Sequence, residues 1–448
     1  MMTARTSSGI AVALVALSAC AVGPTPKAPD LAAPDRYHTD LTLDQDNGVA
    51  ADVWWTGFQD EKLTALVEAA LERNLDIVAA QAAVDAAAAR QRAARGRFLP
   101  LIDGRSTASE GDGESSIDAA LNLSYEIDLF GGLRRALTAA SADLDTRRAL
   151  EADERRLVAA AVASQYIELR RAGARLALLD NSLSLQRRTL EIVQARFDSG
   201  LSAALDVDRA AADLARGQAQ RGLLDANRQN AAITLSVLTG EAPGGEDYGT
   251  PTDDIIPAYS GELDVGAPAD LLRQRPDVRA AELSLVRELA QIGVAEAELW
   301  PQLSLSGAVG LADIGRAAEE TVESLAALLD IPLFSGGRRR ANVDEQRAVA
   351  AGALANYEAA LLFALQDVES ALVQINALHD RRERLMVAEQ RSQSAYEQLD
   401  ALYREGLASF IDVLDAQRTL ISTRESVVEN EAALANAIIA LRAALGVR

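Results

Sequence analysis

The chain has one cysteine in 448 residues, two histidines, three methionines, and only 4% aromatic side chains. A lone thiol leaves no internal disulfide to staple the fold. His38 and His379 have no ligand cluster or nucleophile motif around them, so neither a metal site nor a catalytic site is expected and an enzyme is not. His379 falls within a helical pattern and reads as part of a solvated face. Positive charge is scarce too. A formal net charge of −22 excludes nucleic acid as a partner, because its phosphates would be repelled. The charge suits a protein that handles water, cations or mixed solutes. After the first twenty residues no apolar run approaches the ~20 residues of a membrane-spanning helix, so any crossing by the remainder has to use strands.

What the chain has in quantity is small apolar side chains: it is 49% hydrophobic, carried by Ala, Leu and Val. That composition favours long helices packed closely through small residues. The N-terminus accounts for the cysteine. Arg5 gives a positive start, Ile10 to Leu17 an apolar stretch, and Leu17-Ser18-Ala19-Cys20 closes it with small residues. This resembles a bacterial lipobox. Residues 1–19 read as a lipoprotein signal peptide and Cys20 as the lipidated first residue of the mature chain; an ordinary signal peptide with an incidental cysteine is the plainer alternative. Ala21 stands where an Asp would signal inner-membrane retention, so the resemblance points to the outer membrane.

Residues 20–59 are expected to form a lipid anchor and an extended strap, rich in Pro, Asp and Thr, which Trp54, Trp55 and Phe58 pin to the helices. A first repeat covers 60–240. Its helical pattern stops at Pro100, and Leu121, Leu123, Tyr125, Ile127 and Leu129 then alternate with Asn122, Ser124, Glu126 and Asp128. That alternation predicts a strand with one apolar and one polar face. Strands are placed at about 101–110 and 118–129, and long helices at about 132–198 and 203–239. Val162, Leu169, Leu176, Leu183, Leu190 and Phe197 recur every seventh residue, the pattern of coiled-coil packing.

A linker at 241–267 leads to a second repeat at 268–448, with strands at about 302–312 and 323–334 and helices at about 338–404 and 409–445. The duplication is visible in the offsets. Pro100 matches Pro301 at 201 residues, Phe130-Gly131-Gly132 is echoed by Phe334-Ser335-Gly336-Gly337, and Gly240 matches Gly446 at 206. Each copy holds a long helical hairpin with a Gly-Leu tip, Gly200-Leu201 and Gly406-Leu407. One chain therefore offers four strands. Strands in a bilayer must leave no unpaired edge and need a closed barrel, which four cannot form. Two copies would give a lumen filled by side chains, and three give twelve strands and room for a channel.

The lipobox, Trp54-Trp55 with Phe58, the run Leu272-Arg273-Gln274-Arg275-Pro276-Asp277-Val278-Arg279-Ala280-Ala281-Glu282, the Phe-Gly-Gly returns and both Gly-Leu tips together resemble the TolC-type outer membrane factor family, in its NodT-like efflux lipoprotein branch. The resemblance implies a mixed α/β membrane protein: a homotrimer whose twelve-strand transmembrane β-barrel, four strands per chain, continues into a long periplasmic α-helical barrel with an equatorial segment in the linker. It implies an exit duct of a tripartite efflux pump, lodged in outer membrane lipid and partnered by a periplasmic adaptor (membrane fusion protein) and an inner-membrane transporter. Beyond the lipid on Cys20 it implies no cofactor.

The same resemblance assigns the sites. Asp412 and Asp415 match the family's gate aspartates at the periplasmic mouth; the plainer reading is that acids near a helix start complement its dipole. At an offset of 206, Asp412 matches Asp206 and Asp415 meets Arg209. Tyr403 matches a position that reaches towards the neighbouring hairpin, with Asp206 as its expected latch partner. Gly200, Leu201, Gly406 and Leu407 are the adaptor-docking tips. Ala408 departs from members with a basic residue there, which weakens an ionic latch. Type I protein secretion and metal-cation efflux remain open as cargo classes, and a non-channel periplasmic coiled-coil scaffold remains as the rival reading.

Overall fold

The structure is a computed structural model and describes residues 22–42, 53–111, 114–244, 255–312 and 320–446. Cys20 and the signal peptide lie outside the described residues. The elements run α1 (Glu61–Arg73), α2 (Leu75–Gly96), β1 (Leu101–Gly111), β2 (Glu114–Ile127), α3 (Gly132–Asp198), α4 (Ala204–Leu238), α5 (Pro268–Gln274), α6 (Pro276–Ala297), β3 (Gln302–Ala312), β4 (Glu320–Asp330), α7 (Arg338–Arg404) and α8 (Phe410–Leu445). The chain packs as two compact units. One takes the described parts of Met1–Ala32, Ala79–Ala152 and Pro276–Leu362; the other takes those of Ala33–Val78, Asp153–Arg275 and Phe363–Arg448.

The first unit holds the sheet, antiparallel throughout in the order β1-β2-β3-β4. Its register sorts most side chains by face, the exceptions including Glu323 opposite Val309 on the apolar side and Leu328 opposite Ser304 on the polar side. Leu121 pairs with Val309, Tyr125 with Leu305, and Leu305 with Ala327, so the apolar residues share one face. Asp103 pairs with Asn122, and Ser124 with Ser306, on the other. Leu121, Val309 and Leu325 are exposed on the apolar face. β2 begins earlier than the alternation suggested, and β4 ends at Asp330, so Ile331 and Leu333, expected in the returning strand, lie beyond it. Pro332 explains this, since it has no N–H to give a ladder. In the same unit the strap runs back along the chain's own helices. The Val22 amide donates to the Phe130 carbonyl at 3.1 Å, and Arg135 donates to the Val22 and Gly23 carbonyls at 3.2 Å each. Gly23 lies against Gly293 with no room for a Cβ, which would sit 2.6 Å from the Gly293 Cα.

In the second unit Trp54, Trp55 and Phe58 are buried with Leu63, Val162, Leu235 and Ile439. Tip and core residues of the heptad separate here. Val162, Leu169, Leu176 and Leu183 are buried, but Phe197 is exposed. One stretch of α7 is long and apolar enough, by length and composition, to cross a bilayer. It corrects the reading that no later run approaches this length. The stretch is apolar on average rather than unbroken, and a search for continuous runs passes over it.

Each repeat closes on a helix junction, and the two use different chemistry. In the first, Asn74 caps α2 by accepting from the Asp76 and Ile77 amides at 2.9 and 3.2 Å, while its own amide donates to the Leu238 carbonyl at 2.9 Å. In the second, Arg275 stands at the equivalent place and donates to the Ala444 carbonyl at 3.1 Å and to Asp367 at 3.0 Å. Both satisfy the orphan carbonyls of a long helix's last turn.

Asp60 ties the start of α1 to α3. It caps α1 through the Lys62 and Leu63 amides, accepts the Tyr166 hydroxyl at 2.7 Å, and pairs with Arg170 at 3.2 Å. Burial works to raise its carboxyl, but the bonds from Leu63, Tyr166 and Arg170 outweigh it and hold the group below the usual carboxylate range. A depressed pKa stabilises the fold above the unfolded-state value, near 3.8, and the gain is lost as pH falls through the folded value. Asp60→Ala should therefore cost about 1–3 kcal/mol at neutral pH. Unfolding followed by circular dichroism should show that deficit shrinking as pH drops below 3.8.

Candidate functional site

The two hairpin tips lie in the second unit and are built alike. Gly200 has φ +74° and Gly406 φ +78°, left-handed values that glycine adopts without strain. In the first tip the Gly200 amide donates to Phe197 and the Leu201 amide to Arg196, both at 2.8 Å; in the second the Gly406 amide donates to Tyr403 at 3.0 Å and the Leu407 amide to Leu402 at 2.8 Å. Both are Schellman closures. Each leaves its leucine outside: Leu201 is 67% exposed and Leu407 75% exposed.

The starts of the outgoing helices differ. α8 opens with a capping box, in which the Ser409 hydroxyl meets the Asp412 carboxylate at 2.6 Å and the Asp412 amide at 3.4 Å. Asp412 thus does local work at a helix start, while its side chain stays exposed. Asp415, three residues on, is also exposed and has no ion pair among the described residues. α4 has Ala203 where α8 has Ser409, and no side-chain cap. There Ser202 donates to Asp206 at 3.1 Å, and Arg209 lies 3.6 Å from the same carboxylate.

Tyr403 is buried beneath the second tip, packed with Val193, Ala210, Phe410 and Val413. Its hydroxyl makes no hydrogen bond among the described residues, so the expected bond to Asp206 is not formed within the chain. Asp206 is occupied by Ser202 and Arg209 instead. Burial pushes the Tyr403 phenol up, Arg196 opposes the rise, and Asp206 adds to it.

Two connections between the hairpins went unread in the sequence. The Arg196 guanidinium of α3 lies over the Tyr403 ring at 4.8 Å and donates to the Tyr403 carbonyl at 3.1 Å, complementing the negative end of α7. About two turns further in, Arg418 of α8 reaches Asp213 of α4 through Nε at 3.0 Å and Nη2 at 2.7 Å. Gln186 of α3 donates to the other Asp213 oxygen at 3.1 Å. Asp213 is buried, which strengthens a charge-assisted bond, whereas the 44% exposure of Arg418 weakens it. At the repeat offset Arg196 meets Leu402 and Arg418 meets Ala212. A charge in one copy facing an apolar residue in the other was the available signal. No group of His, Cys, Asp and Glu side chains among the described residues could hold a metal.

A double-mutant cycle on Asp213→Ala and Arg418→Ala should give a coupling of about 1–2 kcal/mol in thermal unfolding. Strictly additive effects would mean that the pair does not join the hairpins.

Residues 66–241 and 267–447 match the family model described as outer membrane efflux protein. Nodulation protein T of Rhizobium leguminosarum bv. trifolii is 31% identical over 96% of this chain and 95% of its own. The pyoverdine export outer membrane protein OpmQ of Pseudomonas aeruginosa (strain PAO1) is 30% identical over 97% and 95%. Among solved structures, the outer-membrane channel OprN superposes with a TM-score of 0.84 at 29% identity, over 94% of this chain and 99% of that one. The two matched blocks coincide with the two repeats, each carrying one tip, and the chain belongs to the outer membrane efflux protein family, whose members are channels of the outer membrane.

Proposed function

We propose that three copies of this chain form the exit duct of a tripartite efflux pump, receiving small molecules from a periplasmic adaptor and an inner-membrane transporter and releasing them outside the cell. The sheet carries this reading: one of its faces is apolar and exposed, and its outer strands, β1 and β4, have no second neighbour. In hydrocarbon that arrangement is stable only when β1 of one copy pairs with β4 of the next and the ring closes. Three copies supply twelve strands, enough for an open lumen. The polar face, with Asp103, Asn122 and Ser124, then lines the water path.

The hairpins form the periplasmic end in this reading. Leu201 and Leu407 offer the adaptor an apolar contact at each tip. Asp412 and Asp415, repeated by the symmetry, become two rings of three carboxylates around the mouth. Multivalent cations bind such rings best, since one ion neutralises several carboxylates. Cys20 carries the lipid, and an acylated Cys20 in the mass spectrum of the mature N-terminus is its check; an unmodified terminus starting beyond it refutes the anchor.

Single-channel recording in planar bilayers tests the duct. The purified protein should conduct with a preference for cations and be blocked by multivalent cations from the side of the hairpins. Asp412→Ala with Asp415→Ala should relieve that block at least tenfold, and Asp206→Ala far less. A protein that gives no conductance as a cross-linked three-copy assembly would rule out the duct. A block that persists in the double variant would move the constriction away from these residues.

A further inference from the structure

Of the eight α-helices described, six carry an acid in their first turn: Glu61, Asp76, Asp206, Asp270, Asp277 and Asp412. The exceptions are α3 and α7, the two that leave the sheet. They open instead with Arg134-Arg135 and with Arg338-Arg339-Arg340. A cation at a helix N-terminus opposes the dipole; at α3 the Asp128 carboxylate offsets this by accepting from the Leu133 and Arg134 amides at 3.2 and 3.0 Å, whereas α7 has no acid in its first turn. The antiparallel register brings the start of β1, the end of β2, the start of β3 and the end of β4 to one end of the sheet. At this root α2 arrives as well, with Arg92, Arg95 and Arg97 in and just beyond its last turns.

Part of this charge is neutralised within the chain. Arg97 lies 3.4 Å from Glu126, Arg134 lies 3.2 Å from Asp128, and Arg347 lies 2.8 Å from Glu296. Arg135 is held by the strap carbonyls, and Arg339 by the Glu298 carbonyl. Arg92, Arg95, Arg338 and Arg340 are left: all exposed, with no side-chain ion pair or hydrogen bond among the described residues. In a chain of net charge −22, four unanswered cations at one end of a sheet call for an anion. Apolar side chains stand beside them. Leu333 is 90% exposed and Phe334 93% exposed, and Trp300 stacks on Phe130 at 5.2 Å. The turn end of the sheet has the opposite character, with Glu110 at the end of β1 and Glu114 at the start of β2.

An anion that lies beside exposed aliphatic and aromatic groups, at the end of a sheet with an apolar face, is the headgroup of a lipid. We propose that the root of the sheet binds the headgroups of anionic glycerophospholipids through Arg92, Arg95, Arg338 and Arg340, with Phe334 and Leu333 against the acyl chains. The inference rests on the reading that the sheet spans the outer membrane. It adds a lipid class and a polarity, in which the arginine end faces the phospholipid leaflet and the end with Glu110 and Glu114 faces away from it.

The test is native mass spectrometry of the purified, delipidated assembly given equal amounts of phosphatidylglycerol and phosphatidylethanolamine. The unaltered protein should retain phosphatidylglycerol preferentially. The pairs Arg92→Gln with Arg95→Gln, and Arg338→Gln with Arg340→Gln, should each reduce that preference, by roughly fivefold per arginine, and leave phosphatidylethanolamine unchanged. Equal preference in both paired variants and the unaltered protein would overturn the proposal. So would a variant that loses its neighbouring copies, because the arginines would then serve subunit pairing. Displacement of the lipid by millimolar inorganic phosphate would also overturn it, by showing a site for free anions. Failure of the unaltered protein to hold either lipid would refute the membrane placement of the sheet itself.

Discussion

A strand in hydrocarbon has no water to satisfy its backbone, so every N–H and C=O must find a partner within the protein. The sheet described here meets that demand along three of its lines and leaves it open at two, the free sides of β1 and β4. No rearrangement of one chain can remove both edges. The need for further copies is thus a property of the backbone, and the alternation of side chains settles which face each copy turns to lipid. The helices carry no such debt. Their termini are closed locally, by Asn74 and Arg275 at the repeat ends and by glycine at the tips.

The two repeats share a plan and divide the labour. Equivalent positions hold Phe197 and Tyr403, one exposed and one buried. Ala203 and Ser409 start the outgoing helices, one without and one with a side-chain cap. Arg209 stands opposite Asp415. A duplicated hairpin with identical tips would give a ring of equal elements with no reason for one set to move and the other to stay. The differences cluster near the tips, and Arg196 and, further along, Arg418 reach from one hairpin to the other.

Most of the architecture was legible because it is periodic. The alternation from Leu121 to Asp128 and the long proline-free helical stretches each write one local geometry many times over, and their limits are marked by Pro100, Gly200 and Gly406. Where the reading slipped, a single local event decided the outcome, as when Pro332 cut β4 short. The candidate site was less legible. Tyr403 and Asp206 fall close in the repeat alignment, yet Ser202 and Arg209 take the carboxylate. Asp213 and Arg418 are 205 residues apart, and nothing in the local pattern of either records the other. The arginines at the root of the sheet lay in plain view. Their meaning depended on which of them would find carboxylates in the fold, and only the geometry of Glu126, Asp128 and Glu296 answers that.

The tips have a consequence for the life of the protein in a compartment full of peptidases. A protease binds its substrate as an extended segment of several residues, and loop tips are ordinarily where a folded chain offers one. Here only five residues separate α3 from α4, and five separate α7 from α8. The first three amides in each gap are already bonded back into the preceding helix. No stretch at either tip can be drawn into a cleft without unwinding the helix behind it. The most solvent-exposed corners of the hairpins are therefore also among the least digestible, and a channel end that must stay open to its partners survives without a cover.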